Sequence, residues 1–259
     1  MRNKNGRMLF KSVLPLRVAV QYGVMKIIFD NHPGVITGIS ERSDSSMVWW
    51  NRKPVDEMIR GNRDQFFKMQ SIDSSRVVTG GTVHGTTVAV VDESSRGQYL
   101  LNTDALITNT KNLFLTITAA DCMPVYFFDP ITQSIGIAHA GWRGLVGGIL
   151  EQVVRQMKVL FHVVPSNVRV TIGPHIGVCH FEVKDEVACQ FNPENIEHRD
   201  GAIFASLAGE AAQRLRAAGV DNIIDAALCT YCHADQFFSA RYDHVDPLQG
   251  MLAYIGLRP

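Results

Sequence analysis

The sequence predicts a single α+β domain, and three observations carry that expectation. Between Val77 and Ala138, short runs of β-branched and aromatic residues follow one another, most of them separated by Gly, Asp, Asn or Pro. After Gly144 the apolar spacing changes to the helical period. Strands cluster with helices between them, where a βαβ succession would alternate one with the other. No internal repeat, low-complexity tract or Ser/Gly linker marks a boundary, and 259 residues suit one large domain.

Taken in order, Ile27-Ile28-Phe29 reads as a short strand before a turn at Asn31-His32-Pro33-Gly34. Pro54 opens a helical pattern reaching about Met69, with Val55, Met58 and Ile59 on one side. Strands are expected at Val77-Val78, Val88–Val91, Leu113–Thr118, Val125–Phe128 and Ile135–Ala138. One helix is expected from Gly144, with Val146, Ile149, Leu150, Val153, Met157 and Leu160 as its buried stripe. A strand follows at Val168–Ile172. A second helix covers about 203–218, with Leu207, Ala211 and Leu215 facing inward and Gly219 as its stop. Ile223-Ile224 and Ala226–Leu228 suggest a late strand.

Composition narrows the function classes. Lys plus Arg is 25 and Asp plus Glu is 25, so the formal charge is zero and nothing favours a nucleic-acid or acidic-membrane partner. The hydrophobic fraction of 46% and charged fraction of 19% describe a globular chain. Five cysteines in a chain of this size argue against a secreted disulfide framework and for a reducing compartment. No apolar run approaches the ~20 residues of a membrane span. Near the N-terminus, Arg2, Lys4, Arg7 and Lys11 precede Val13-Leu14-Pro15-Leu16. Arg17 then interrupts, and no small-x-small cleavage site follows, so a cytoplasmic location is expected.

Polar residues with chemical potential stand at predicted strand ends. They occur in Val83-His84-Gly85, in Ala119-Ala120-Asp121-Cys122-Met123-Pro124, and in Ala138-His139-Ala140-Gly141-Trp142-Arg143-Gly144. Taken singly, Cys122 reads as a small core residue and each histidine as a loop residue. Together, one thiol and two imidazoles make a three-ligand zinc set with a fourth position open, the arrangement that acidifies a bound water. Arg143 opens the predicted helix, where an arginine adds a bidentate donor for phosphate or carboxylate; it reads equally as a surface arginine paired with an acidic neighbour. Cys229-Thr230-Tyr231-Cys232-His233 has the form of a c-type haem attachment site, a chemistry that needs export. As a lone Cys-x-x-Cys it is a poor zinc ribbon and reads as a packed loop. Gly173-Pro174-His175-Ile176-Gly177 is a turn that walls a pocket or simply reverses the chain.

These segments, with Asp104-Ala105-Leu106-Ile107-Thr108 and Ile172-Gly173-Pro174, occur in one order that resembles the YfiH-like family, also called the laccase-domain or multicopper polyphenol oxidoreductase family. The likeness runs from about Gly38 to Leu257. It implies one α+β domain of mixed sheets packed against helices, and it matches His84, Cys122 and His139 to the family's zinc ligands. It implies phosphorolysis of adenosine, inosine, guanosine or methylthioadenosine, with adenosine deamination in some members. Purine nucleoside and phosphate are then the small-molecule partners. Arg143 becomes the candidate phosphate clamp, and Asp121 the candidate acid/base or the group that orients a ligand histidine. Two alternatives accompany the resemblance. One is a copper-dependent polyphenol oxidase, although ligands for only one mononuclear site are visible. The other is an amidase acting on a cell-wall precursor, with Cys122 as nucleophile. The chain departs from the family pattern at Thr82, where members usually carry Gln. It also departs at His175 and His180, where members often carry cysteines; the added histidines bring extra metal-binding capacity. The family's usual start resembles Met25 onward, leaving residues 1–24 as an extension or a misplaced start.

Overall fold

Strands covered on both faces explain why the middle of this chain reads as continuous apolar runs. The computed structural model describes residues 34–49 and 56–259, residue 32, and the backbone of 19–21 and 24–26. The strand expected at Ile27-Ile28-Phe29 and the helix opening expected at Pro54 lie outside the described residues. In chain order the strands are β1 (Ala19–Gln21), β2 (Val24–Lys26), β3 (Val35–Ile39), β4 (Val77–Gly81), β5 (Val88–Val90), β6 (Tyr99–Leu101), β7 (Ala105–Thr108) and β8 (Phe114–Ala119). They continue as β9 (Met123–Asp129), β10 (Ser134–Ala140), β11 (Arg169–Ile172), β12 (Glu182–Val183), β13 (Ile196–Arg199), β14 (Ala202–Ala205), β15 (Asn222–Asp225) and β16 (Met251–Leu257). The helices are α1 (Glu57–Met69), α2 (Trp142–Val146), α3 (Ile149–Phe161), α4 (Asp185–Ala188), α5 (Leu207–Ala217) and α6 (Ala240–Asp243).

The strands form a seven-stranded sheet in the order β1-β2-β3-β16-β8-β4-β6, a six-stranded sheet β15-β11-β9-β10-β7-β5, and a small sheet β12-β14-β13. Both large sheets mix parallel and antiparallel pairs. The fold is thus α+β with mixed sheets. Side chains alternate across each strand and sort into separate cores. Tyr126 and Phe128 of β9 join Leu115 and Ile117 of β8 and Ile255 of β16 between the two sheets. Their neighbours Val125 and Phe127 point the other way, onto Leu150, Val153 and Met157 of α3 and Leu215 of α5. On the far side of the seven-stranded sheet, Phe66 and Phe67 of α1 pack on Phe114, Leu252 and Tyr254.

Several expected boundaries move, each for a local reason. The helix expected from Gly144 is two helices, because Gly148 adopts φ +91, the left-handed conformation that ends α2 and caps α3. Leu160 belongs to the solvent side of the last turn and is exposed. The helix expected from 203 starts at Leu207. Ile203 and Phe204 pair into the small sheet instead, and the Ser206 hydroxyl accepts from the Gly209 N–H as N-cap. Gly219, at φ +88, is the stop that its sequence position predicts. On α1, capped by Asp56, the buried stripe is Ile59, Arg63, Phe66 and Phe67, while Met58 faces solvent. The late strand ends at Asp225, so Ala226–Leu228 is not strand. Among the described residues, no helix is long and apolar enough to cross a membrane.

Candidate metal centre and its cavity

Antiparallel pairing of β9 with β10 sets His139 opposite Pro124 and Ala140 opposite Met123, so Cys122 arrives beside His139 from the neighbouring strand. The turn before Cys122 is tight: Asp121 adopts φ +79, a left-handed conformation that aspartate tolerates better than most residues. His84 comes from a different sheet connection and is also left-handed, at φ +62. The Nδ1/Nε2 and Sγ ligand atoms of His84, Cys122 and His139 all lie within 4.8 Å of one another.

Asp104 organises this cluster. Its buried carboxylate accepts the backbone N–H groups of Val83, His84 and Gly85 at 2.9, 2.8 and 2.9 Å. The same Oδ1 lies 3.2 Å from His139 Nδ1, leaving the His139 Nε2 for a ligand role. Burial alone would raise the Asp104 pKa, but His139 and the N–H groups of Gly85 and Val83 hold it below the usual carboxylate value. Burial likewise opposes a charged Cys122, yet the neighbouring His139 and His84 imidazoles bring its thiol down to about 6. At His139 burial opposes the imidazolium, and Cys122 with Asp104 overcomes it, raising the pKa to about 9. The side chains thus favour a thiolate beside an imidazolium, the charge state a cation would replace.

Close approach is built in by glycine. A Cβ on Gly141 would stand 2.7 Å from His84 Cδ2 and 2.8 Å from Cys122 Sγ. On Gly144 it would stand 2.7 Å from the Gly85 carbonyl, which lets α2 pack directly on the turn that carries His84. Two imidazoles and a thiol, held close around a cradle with no Cβ, suit zinc or another borderline divalent metal.

The cluster forms one wall of a cavity of about 330 Å³. Trp49 and Tyr99 line the same cavity and meet edge to face at 5.2 Å. Arg63 also lines it, its guanidinium 3.6 Å from the centre of the Trp49 ring. Its Nε donates to the Met47 carbonyl at 2.9 Å and its Nη1 to Thr79 Oγ1 at 3.2 Å.

The other expected site residues lie around this centre. Arg143 is exposed in the first turn of α2, its guanidinium 4.4 Å from the Trp142 ring centre, and it is not among the residues lining the cavity. Asp121 is buried, and both its oxygens accept: Oδ1 from the Thr230 hydroxyl at 2.6 Å and Oδ2 from the Arg241 N–H at 2.7 Å. The carboxylate that contacts a candidate ligand histidine is therefore Asp104, to which the sequence reading gave no role. Arg63 carries a signal in the sequence as well, a charge in the middle of the Ile59–Phe66–Phe67 stripe. Trp49 and Tyr99 carry no sequence signal of this kind, since only the fold brings them to one cavity.

Residues 35–258 match the family model described as multi-copper polyphenol oxidoreductase laccase. The chain belongs to this family. Across the laccase-domain family it is 34% identical to the purine nucleoside phosphorylase YlmD of Geobacillus stearothermophilus, over 76% of this chain and 78% of that protein. It is 38% identical to a purine nucleoside phosphorylase of Deinococcus radiodurans, over 68% of each chain. It is 32% identical to the adenosine deaminase RL5 of an unknown prokaryotic organism, over 66% of this chain and 71% of that one. The crystal structure of YlmD from Geobacillus stearothermophilus superposes with a TM-score of 0.85 at 28% identity, covering 93% of this chain and 98% of that one.

Proposed function

We propose that this laccase-domain protein is a zinc-dependent purine nucleoside phosphorylase, acting on adenosine, inosine, guanosine or methylthioadenosine, with adenosine deaminase activity at the same centre. The observation that carries the reading is the meeting of His84, Cys122 and His139 on the wall of a cavity that also presents Trp49 and Tyr99. Its volume falls in the range of small-molecule sites. The names of the relatives supply the reaction class.

In this reading His84, Cys122 and His139 hold the metal, which supplies Lewis-acid polarisation and an acidified water when bound. Trp49 and Tyr99 offer aromatic surface to the purine, and the Arg63 guanidinium packs on the Trp49 ring. Arg143, four residues beyond His139 and exposed, is the proposed phosphate clamp. Asp121 is assigned to positioning: with both oxygens engaged, it fixes the turn that presents Cys122. A cytoplasmic location accords with the free cysteines.

The test is to incubate protein of known metal content with adenosine, with and without phosphate, and to resolve adenine, ribose 1-phosphate and inosine. Phosphate-dependent adenine that disappears in Cys122→Ala is expected. Inosine formed without phosphate, and no adenine, would make deamination the main reaction. No turnover by fully metallated protein would reject the nucleoside reading and favour amide hydrolysis, while copper in protein purified without added copper would favour the oxidase. Arg143→Ala should raise the phosphate requirement far more than it weakens nucleoside binding.

A further inference from the structure

A second set of metal-ligating side chains stands apart from this centre. Cys179, His180, Cys229 and Cys232 offer three sulfurs and one imidazole nitrogen, all within 4.8 Å of one another. Cys179 Sγ is 3.7 Å from Cys232 Sγ, and Cys232 Sγ is 3.3 Å from His180 Nδ1. Zinc–sulfur bonds of about 2.3 Å in a tetrahedron put two sulfurs about 3.8 Å apart and a sulfur and an imidazole nitrogen about 3.6 Å apart. The spacing is therefore that of a ligand shell, and all the cysteines are free. We infer that Cys179, His180, Cys229 and Cys232 form a structural zinc site, distinct from the centre at Cys122.

The surroundings fit a thiolate-rich site. The Gly177 N–H donates to Cys229 Sγ at 3.2 Å, and a Cβ on Gly177 would come within 3.1 Å of Cys179 Sγ. The His180 ring stacks on Tyr231 at 4.0 Å and 15°, which fixes the face its Nδ1 presents. Three sulfurs and an imidazole close a tetrahedron, leaving no position for substrate, and soft sulfur donors select zinc over hard cations. The Cys-x-x-Cys half was legible in the sequence but lacked partners there. The fold supplies them from about 50 residues upstream, where His175 bridges to Cys229.

The placement gives the ion a task. His175 N–H donates to the Leu228 carbonyl and Thr230 N–H to the His175 carbonyl, at 3.1 and 3.0 Å, so the two ligand-bearing segments already lie side by side. Both also hold the turn before Cys122: Ile176 N–H donates to the Asp121 carbonyl at 2.9 Å, and Thr230 donates to the Asp121 carboxylate. Zinc joining the two segments locks the scaffold on which Cys122 stands.

The test is metal content of the full chain, purified under reducing conditions, by elemental mass spectrometry. The wild type is expected to hold about two zinc equivalents, and Cys122→Ala and Cys179→Ser/Cys232→Ser about one each. If the double variant does not fold, His180→Ala replaces it, with faster zinc loss to a chelator as the readout. Cobalt(II) added to zinc-free Cys122→Ala should give a thiolate-to-cobalt absorption that Cys232→Ser removes in the same background. One equivalent in the wild type, kept by Cys122→Ala and lost in Cys232→Ser, supports this site while rejecting the catalytic metal. Less than about a tenth of an equivalent in Cys122→Ala purified under reducing conditions overturns it.

Discussion

Asp104 Oδ1 lies 3.2 Å from His139 Nδ1, and the same carboxylate gathers the three successive N–H groups of Val83, His84 and Gly85. One buried charge therefore sets the ring of one candidate ligand and the backbone of another. Asp104→Asn replaces a full acceptor with a half-donor amide. Zinc affinity, measured by competition with a chelator, should fall about 10–100-fold, as for other groups that orient metal ligands. Unchanged affinity would remove Asp104 from the positioning role.

The thiolate at Cys122 has a pH signature in metal-free protein. With its pKa brought down to about 6, the reactive form is populated above that pH and lost below it. Alkylation of Cys122, followed by peptide mass spectrometry, should rise through a midpoint near pH 6 and be blocked by added zinc. His139→Gln removes a neighbouring imidazole, so its midpoint should move upward. A midpoint near the ordinary thiol value of about 8.5 in the wild type would contradict the pairing.

Gly141→Ala tests the cradle. The new methyl would lie within 2.8 Å of both His84 and Cys122. Overpacking of this kind costs about 1–3 kcal/mol, so zinc affinity should fall about tenfold or more while far-ultraviolet circular dichroism stays native. Full affinity in Gly141→Ala would show that the two ligands stand further apart than described.

Gly61→Ala serves as a contrast. Gly61 is an exposed glycine inside α1, with nothing within 4 Å of an added Cβ. The substitution should raise unfolding free energy by about 0.4–1 kcal/mol, read from the urea midpoint, with zinc affinity unchanged. A lower midpoint would contradict the exposed helical placement.

The strand-rich middle of the chain was legible because its side chains are buried on both faces, which leaves β-branched and aromatic runs little room for other residues. Met251–Leu257 is just as apolar, and β16 lies at the centre of its sheet, yet its strand character is not legible from sequence. An isolated apolar run has no period that separates strand from helix. Residues 203–206 depart from the helix that the sequence predicts because Ile203 and Phe204 find strand partners only in the folded small sheet.

Sequence order alone placed His84, Cys122 and His139 at strand ends and supplied the resemblance that grouped them. It could not rank Asp121 below Asp104 as the carboxylate beside His139. Adjacency to Cys122 along the chain favoured Asp121, whereas Asp104 reaches His139 across the β7–β10 pairing. The same limit hid the partners of Cys229 and Cys232. Local sequence determines which side chains a strand end or turn presents, through spacing and backbone preference. Which of them share a few ångströms is decided by strand register and layer packing, since those contacts join residues tens to more than a hundred positions apart.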